Sequence, residues 1–328
     1  MLEVETNVSP RSAGIAAAFA TVYVVWGSTY LAIRFGVETI PPFLMAGTRH
    51  LTAGVLLYLW MRRRGGPRPE WRHWKSATVI GGLLLLGGNG LVTWAEQRVP
   101  SGLAALIVSS VPIWMAVLEG VEKRTRPRAS VIAGLLLGVA GILLLVAPGR
   151  FAGNGHVDLF GAAALLAAAL SWSFGSLYSR RAALPSSTLT ATAMEMIAGG
   201  VLLWLSGLVL GEGARLDLSA VSLRSFLALG YLIVFGSLLG FSAYIWLLKV
   251  STPARVSTYA YVNPIVAVLL GALVAGEVIT PRVVLAALVI VGAVALIIAA
   301  RSRAGSRGAL AAVEDAEPPR VSAAGGSR

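Results

Sequence analysis

Hydrophobic residues in this chain come in long runs separated by short polar breaks. Ten such runs follow one another, at 14–34, 41–61, 76–95, 99–119, 128–147, 158–179, 187–210, 222–246, 253–276 and 281–300. Each is close to the ~20 residues that a helix rising about 1.5 Å per residue needs to cross hydrocarbon. The pattern predicts an all-α integral membrane protein with ten transmembrane helices.

The runs are also repetitive. At an offset of 146, Trp26 falls on Trp172, Leu31 on Leu177, Arg34 on Arg180, and GVLLYL at Gly54 on GVLLWL at Gly200. At an offset of 152, Trp94 falls on Trp246 and Pro112 on Pro264. The reading is therefore two five-helix units, residues 14–147 and 158–300. Five is odd, so the second unit enters the membrane upside down relative to the first. Inverted repeats of this kind place a ligand cavity at their interface, near the bilayer midplane.

Composition agrees with a membrane protein: 56% of residues are hydrophobic and 13% charged. The net charge of +12 does not form a nucleic-acid-binding patch but sorts by loop. With the N-terminus in the cytoplasm, eighteen basic residues lie on that side and six (Arg34, Arg98, Arg150, Arg215, Arg224, Arg282) on the other. This bias puts both termini in the cytoplasm of a multi-pass plasma or inner membrane protein. Residues 1–13 form a cytoplasmic segment without the basic start of a cleaved signal. Residues 301–328, rich in Gly, Ala, Ser and charge, read as a disordered tail.

An ionisable side chain in hydrocarbon is costly and marks a site by default. Arg49 and His50 in the second run and Glu195 in the seventh are the candidates. Arg49 and Glu195 are repeat-equivalent, opposite in charge, and each about 12 Å from its nearer surface. Glu195, with His50, is the candidate for proton coupling, and Arg49 with Glu195 for an intramembrane ion pair. Uncharged polar candidates for lining a cavity are Trp26, Ser28, Asn89, Ser110, Trp172, Tyr259 and Asn263. Pro112 and Pro264 mark a matched pair of helix bends, because proline cannot donate its amide to the preceding turn. Packing between helices or anchoring at the interface is the plain alternative for each of these.

Signals for enzyme chemistry are missing from the sequence. There is no cysteine, the three histidines (His50, His73, His156) have no zinc-ligand spacing, and no glycine loop precedes Lys-Ser or Lys-Thr. No metal site and no cofactor are expected.

With these residues in view, the chain resembles the ten-helix EamA type of the drug/metabolite transporter superfamily. The resemblance rests on WGSTYLAIRFG at Trp26, AGTRH at Ala46, SGLAALIVSSVPIW at Ser101 and YVNPIVAVLLGALVAGE at Tyr261. It implies a pseudo-twofold bundle in which runs 1, 3, 4, 6, 8 and 9 enclose a central cavity, with runs 5 and 10 peripheral. The implied function is alternating-access export of small metabolites, amino-acid-like or amphipathic and drug-like. The first run lacks the carboxylate that the small four-helix multidrug relatives use, so their antiport mechanism does not carry over. The expected partners are membrane lipid and a small-molecule substrate, with a proton as candidate coupling ion, in a monomer or loose homodimer. A lipid-linked flippase and a non-transporting scaffold or accessory subunit are the alternatives.

Overall fold

Proline and small polar residues start the helices of this chain, and glycine ends several of them. The computed structural model describes residues 10–66, 68–122, 124, 129–146, 158–251, 253–256 and 258–314. Among these there are helices and no strand. The main helices are α1 (Pro10–Gly36), α2 (Pro42–Arg63), α3 (Trp71–Ala95), α4 (Ser101–Glu122), α5 (Ala129–Val146), α6 (Leu159–Ser179), α7 (Thr188–Val209), α8 (Leu223–Val250), α9 (Tyr259–Ala275) and α10 (Pro281–Glu314). Among the described residues, six helices are long and apolar enough to cross a membrane: Ala13–Gly36 within α1, and α3, α4, α6, α7 and α8. Shorter apolar helical stretches lie at Ile132–Leu144, Val262–Ala275 and Pro281–Leu296.

Side chains cap α6, α7 and α8. Asp158 accepts from the Phe160 amide at 3.0 Å, Ser187 from that of Thr190 at 3.3 Å, and Ser222 from that of Ser225 at 3.1 Å. Each cap satisfies one of the amides that the first helical turn leaves free. For α2 and α4 the caps come from distant loops. Gly211 and Gly276 adopt left-handed φ values of 75° and 67°, which a residue with a Cβ adopts at a cost. Each is followed by a glutamate that reaches back to another helix. Glu212 accepts from the amides of Phe43 and Leu44 at 3.3 and 2.9 Å. Glu277 accepts from the Ser101 amide and hydroxyl at 2.7 and 2.8 Å and from the Gly102 amide at 3.0 Å.

Three elements differ from the sequence expectation. The fourth run breaks at Ser109–Ser110 into Ser101–Val108 and Val111–Glu122. There Ser109 Oγ donates to the Leu106 carbonyl at 2.6 Å, and Pro112 has no amide to offer the Val108 carbonyl. Pro264, by contrast, lies inside an uninterrupted α9, preceded by a separate short turn at Pro253–Val256. The proline pair therefore does not produce a matched pair of breaks. The last helix runs on to Glu314, through the first half of the segment expected to be disordered. Alanine, arginine and leucine there are strong helix formers, so the helix extends past its apolar part. The remaining tail, residues 1–9, Arg150 and Ser257 lie outside the described residues.

In α3 and α8, ten-residue stretches, Gly81–Gly90 and Leu232–Phe241, are wound as π-helix. The extensive contact between α2 and α7 is made by glycines. A Cβ on Gly200 would lie 2.6 Å from the Leu51 amide nitrogen, and one on Gly54 would lie 2.8 Å from that of Ile197. Small residues let helix backbones approach closely where lipid gives no hydrophobic drive. Helices α5 and α10 pack against each other, and the Arg282 side chain donates to the Leu144 carbonyl.

Overpacking this seam should be costly. Gly200→Ala is expected to lower stability by about 1–3 kcal/mol, read as a fall in the melting temperature of detergent-purified protein. Gly292→Ala, with nothing within 4 Å of the added carbon, is expected to leave it unchanged.

Candidate functional site

The π-helical stretches and the break in α4 surround one central cavity with an empty volume of about 650 Å³, part of it continuous with the outside. Helices α1, α2, α3, α4, α6, α8 and α9 all contribute lining residues.

One wall is aromatic. Trp26, on α1, lies edge-on to Trp172, on α6, with ring centres 5.5 Å apart, and edge-on to Tyr259, on α9, at 5.6 Å. Tyr244 of α8 stands behind them, 4.9 Å from Trp26 and 5.6 Å from Trp172. Trp26 Nε1 donates to the Gly236 carbonyl at 3.2 Å, and Trp172 Nε1 to the Tyr244 hydroxyl at 3.1 Å. Glycines make room for both indoles. A Cβ on Gly240 would lie 2.6 Å from Trp26 Nε1, and one on Gly88 would lie 2.7 Å from Trp172 Cε3. A flat, T-shaped aromatic cluster of this kind presents both ring edges and ring faces to a ligand.

Polar lining residues come from α2, α3 and α9, with Ser237 of α8 holding Arg49. Arg49 is 3% exposed and lines the cavity, and its Nε donates to Ser237 Oγ at 2.8 Å. Its Nη1 has no hydrogen-bond partner. His50 Nε2 lies 3.2 Å from Asn89 Oδ1, and His50 Nδ1 lies 3.4 Å from Ser237 Oγ. Asn263 also lines the cavity; with its amide nitrogen turned toward them, it donates to the carbonyls of Tyr23 at 3.0 Å and Tyr259 at 3.2 Å. That amide therefore ties α9 to α1.

The structure thus brings Trp26, Asn89, Trp172, Tyr259, Asn263, Arg49 and His50 together around the cavity. Ser28 and Ser110 are not among the lining residues. The Ser28 hydroxyl donates to the Val25 carbonyl at 2.7 Å and sits 2.6 Å from the Tyr231 hydroxyl, and Ser110 is buried without a partner for its hydroxyl. Pro112 and Pro264 are buried nearby without lining it. Glu195 is fully buried in α7, and neither carboxylate oxygen has a hydrogen-bond partner. No ion pair between Arg49 and Glu195 occurs among the described residues. Glu96, just past the end of α3, is fully buried; neither of its carboxylate oxygens has a hydrogen-bond partner, and its backbone carbonyl accepts from Arg34 at 2.9 Å.

Sequence reasoning missed Glu96, Ser237 and Tyr244. Glu96 lies one residue past the predicted end of its run, so it read as a loop residue. Ser237 and Tyr244 sit in an apolar run and become visible only once α8 is placed beside α1, α2 and α6.

An all-helical bundle with several membrane-length apolar helices and a central aromatic-and-polar cavity is a multi-pass membrane protein of the transporter class. The EamA-like transporter family matches residues 12–147 and 159–299, and the chain belongs to that family. It is 44% identical over 285 residues to the "Uncharacterized inner membrane transporter YedA" of Escherichia coli (strain K12), covering 85% of this chain and 89% of that protein. To the "Probable amino-acid metabolite efflux pump" of Salmonella typhimurium it is 26% identical over 278 residues, covering 79% of this chain and 86% of that one. A crystal structure at 22% identity covers 89% of this chain and 99% of its own with a TM-score of 0.63, a likeness of fold alone.

Tyr244→Phe would leave the Trp172 N–H without its acceptor, at an expected cost of about 1–3 kcal/mol. The melting temperature in detergent should fall accordingly, while Tyr178→Phe, on an exposed ring, should leave it unmoved.

Proposed function

We propose that this protein is a secondary transporter that exports small metabolites, amino-acid-like or amphipathic, by alternating access between two inverted five-helix repeats. The observation that carries the reading is a reciprocal exchange around the cavity. Trp26 of the first half is seated against Gly240 of the second, and Trp172 of the second against Gly88 of the first. The tryptophans differ by the 146 offset and the glycines by the 152 offset found in the sequence. The same 152 register falls within one residue of relating the two π-helical stretches, which begin at Gly81 and Leu232. Gly54 and Gly200, related by 146, make the α2–α7 seam from both sides. These correspondences support a pseudo-twofold axis through the cavity, and rocking of the halves about it would expose the site to each side in turn.

Export is supported by the name of the Salmonella relative, and an inner-membrane location by that of the Escherichia coli relative. The loop bias of basic residues supports cytoplasmic termini. In this reading no covalent step is required of the protein. Its aromatic wall holds an apolar or cationic body, and its polar lining residues hold the polar end.

The test compares metabolites in the medium of cells producing the intact protein or a Trp26→Ala, Trp172→Ala form at equal membrane levels. A compound at least tenfold enriched outside only with the intact protein is the expected result. Trp71→Ala, at a 73% exposed position, is expected to export normally. Equal media from all three would count against export, and movement of a labelled lipid with no soluble solute would favour a flippase.

A further inference from the structure

The cavity contains one cationic group held as a receptor. Arg49 projects from α2 against the π-helical stretch of α8, where two consecutive residues form a cradle for it. Ser237 Oγ accepts from Nε at 2.8 Å, which fixes the plane of the guanidinium. Gly236 leaves the space beside Nη2 open, since a Cβ there would lie 2.7 Å from that nitrogen. The Arg49 side chain lines the cavity, and its Nη1 is buried without any acceptor. A buried guanidinium with an unused donor is costly, and an anion that supplies the missing acceptor recovers that cost.

The rest of the lining says what kind of anion. Among the described residues, the only other basic side chain lining the cavity is His50, and it is engaged with Asn89 and near Ser237. A phosphate dianion would need more donors than a single fork, whereas one carboxylate matches a guanidinium bidentately. Trp26, Trp172 and Tyr259 line the same cavity and suit an apolar body.

We propose that Arg49 binds the carboxylate of the transported solute, which defines the substrate class as amphipathic monocarboxylates with a ring or comparable apolar body. This rests on the carrier reading above and narrows it.

The probes are 3-phenylpropionate and its amide, 3-phenylpropanamide, which share a body and differ in charge. Their dissociation constants for full-length protein in detergent are read by tryptophan fluorescence. The acid is expected to bind about tenfold or more tightly than the amide, the scale of a charge-assisted hydrogen bond. Arg49→Gln is expected to bring the acid-to-amide ratio close to one, and Gly236→Ala, which pushes on the guanidinium, to reduce it. Equal binding of the two probes by the unmodified protein, binding of neither, or a ratio that survives Arg49→Gln would overturn the proposal. The first two outcomes need no variant to fold. Flux in proteoliposomes separates the two readings. Acid-selective binding without flux supports the receptor and defeats the carrier, and flux of amides and amines without acid preference does the reverse.

Discussion

Backbone polar groups in hydrocarbon must find partners inside the protein, and the architecture of this chain follows from how it meets that demand at the ends and irregularities of its helices. A straight helix satisfies its own interior, but its first turn exposes free amides. For α2 and α4 these amides are taken by Glu212 and Glu277, both from the second half of the chain. Ionised acceptors at helix N-termini combine hydrogen bonding with the favourable end of the helix dipole. Neighbouring contacts secure the same end of the bundle: Arg224 with Glu38 at 3.4 Å, Arg98 with Asp158 at 3.5 Å, and Arg34 donating to the Glu96 carbonyl at 2.9 Å. The two halves are thus bound by the satisfaction of helix ends as well as by apolar packing.

The same demand explains why the cavity is where it is. Winding α3 and α8 as π-helix, and breaking α4, disturbs the regular ladder of hydrogen bonds in the middle of the bundle. The displaced carbonyls are then met by side chains from other helices: Leu83 by Ser171 at 2.8 Å, Gly236 by Trp26 at 3.2 Å, and Val111 by Ser173 at 3.2 Å. Irregular backbone is tolerated at membrane depth where it is buried in protein or lines a cavity. Here it does both, and the groups that satisfy it bring the two tryptophans and the polar lining residues into place.

Much of this was legible in the sequence, for definable reasons. Run length and Pro, Ser or Asp at run starts located the helices, since hydrocarbon thickness and capping chemistry act locally. The tryptophan pair was legible because the repeat preserves it, and most of the named polar residues do line the cavity. What could not be read was anything set by the approach of helices distant in sequence. Ser237 is one serine in the run LIVFGSLLGF until Arg49 is laid against it. Glu212 and Glu277 share a Gly–Glu signature that was visible, but its role as a cap depends on which helix starts beside it. The break at Ser109–Ser110 and the continuity of α9 through Pro264 show that proline alone does not determine where a helix yields. Neighbouring serine hydroxyls and the packing around it decide.

Symmetry also sharpens the meaning of its exceptions. On the proposed repeat, Arg49 and Glu195 occupy equivalent backbone positions, and Ser237 corresponds at the 152 offset to Leu85. Arg49 therefore meets a hydroxyl that fixes its plane, while the corresponding residue of the first half offers Glu195 no donor. Gly199, one turn along α7 from Glu195, packs against that same Leu85. Of the two side chains, Arg49 lines the cavity and has a polar partner, whereas Glu195 is buried without one. Duplication alone would make both alike. The divergence leaves Arg49 of α2, held by Ser237 of α8, as the charged side chain that lines the cavity.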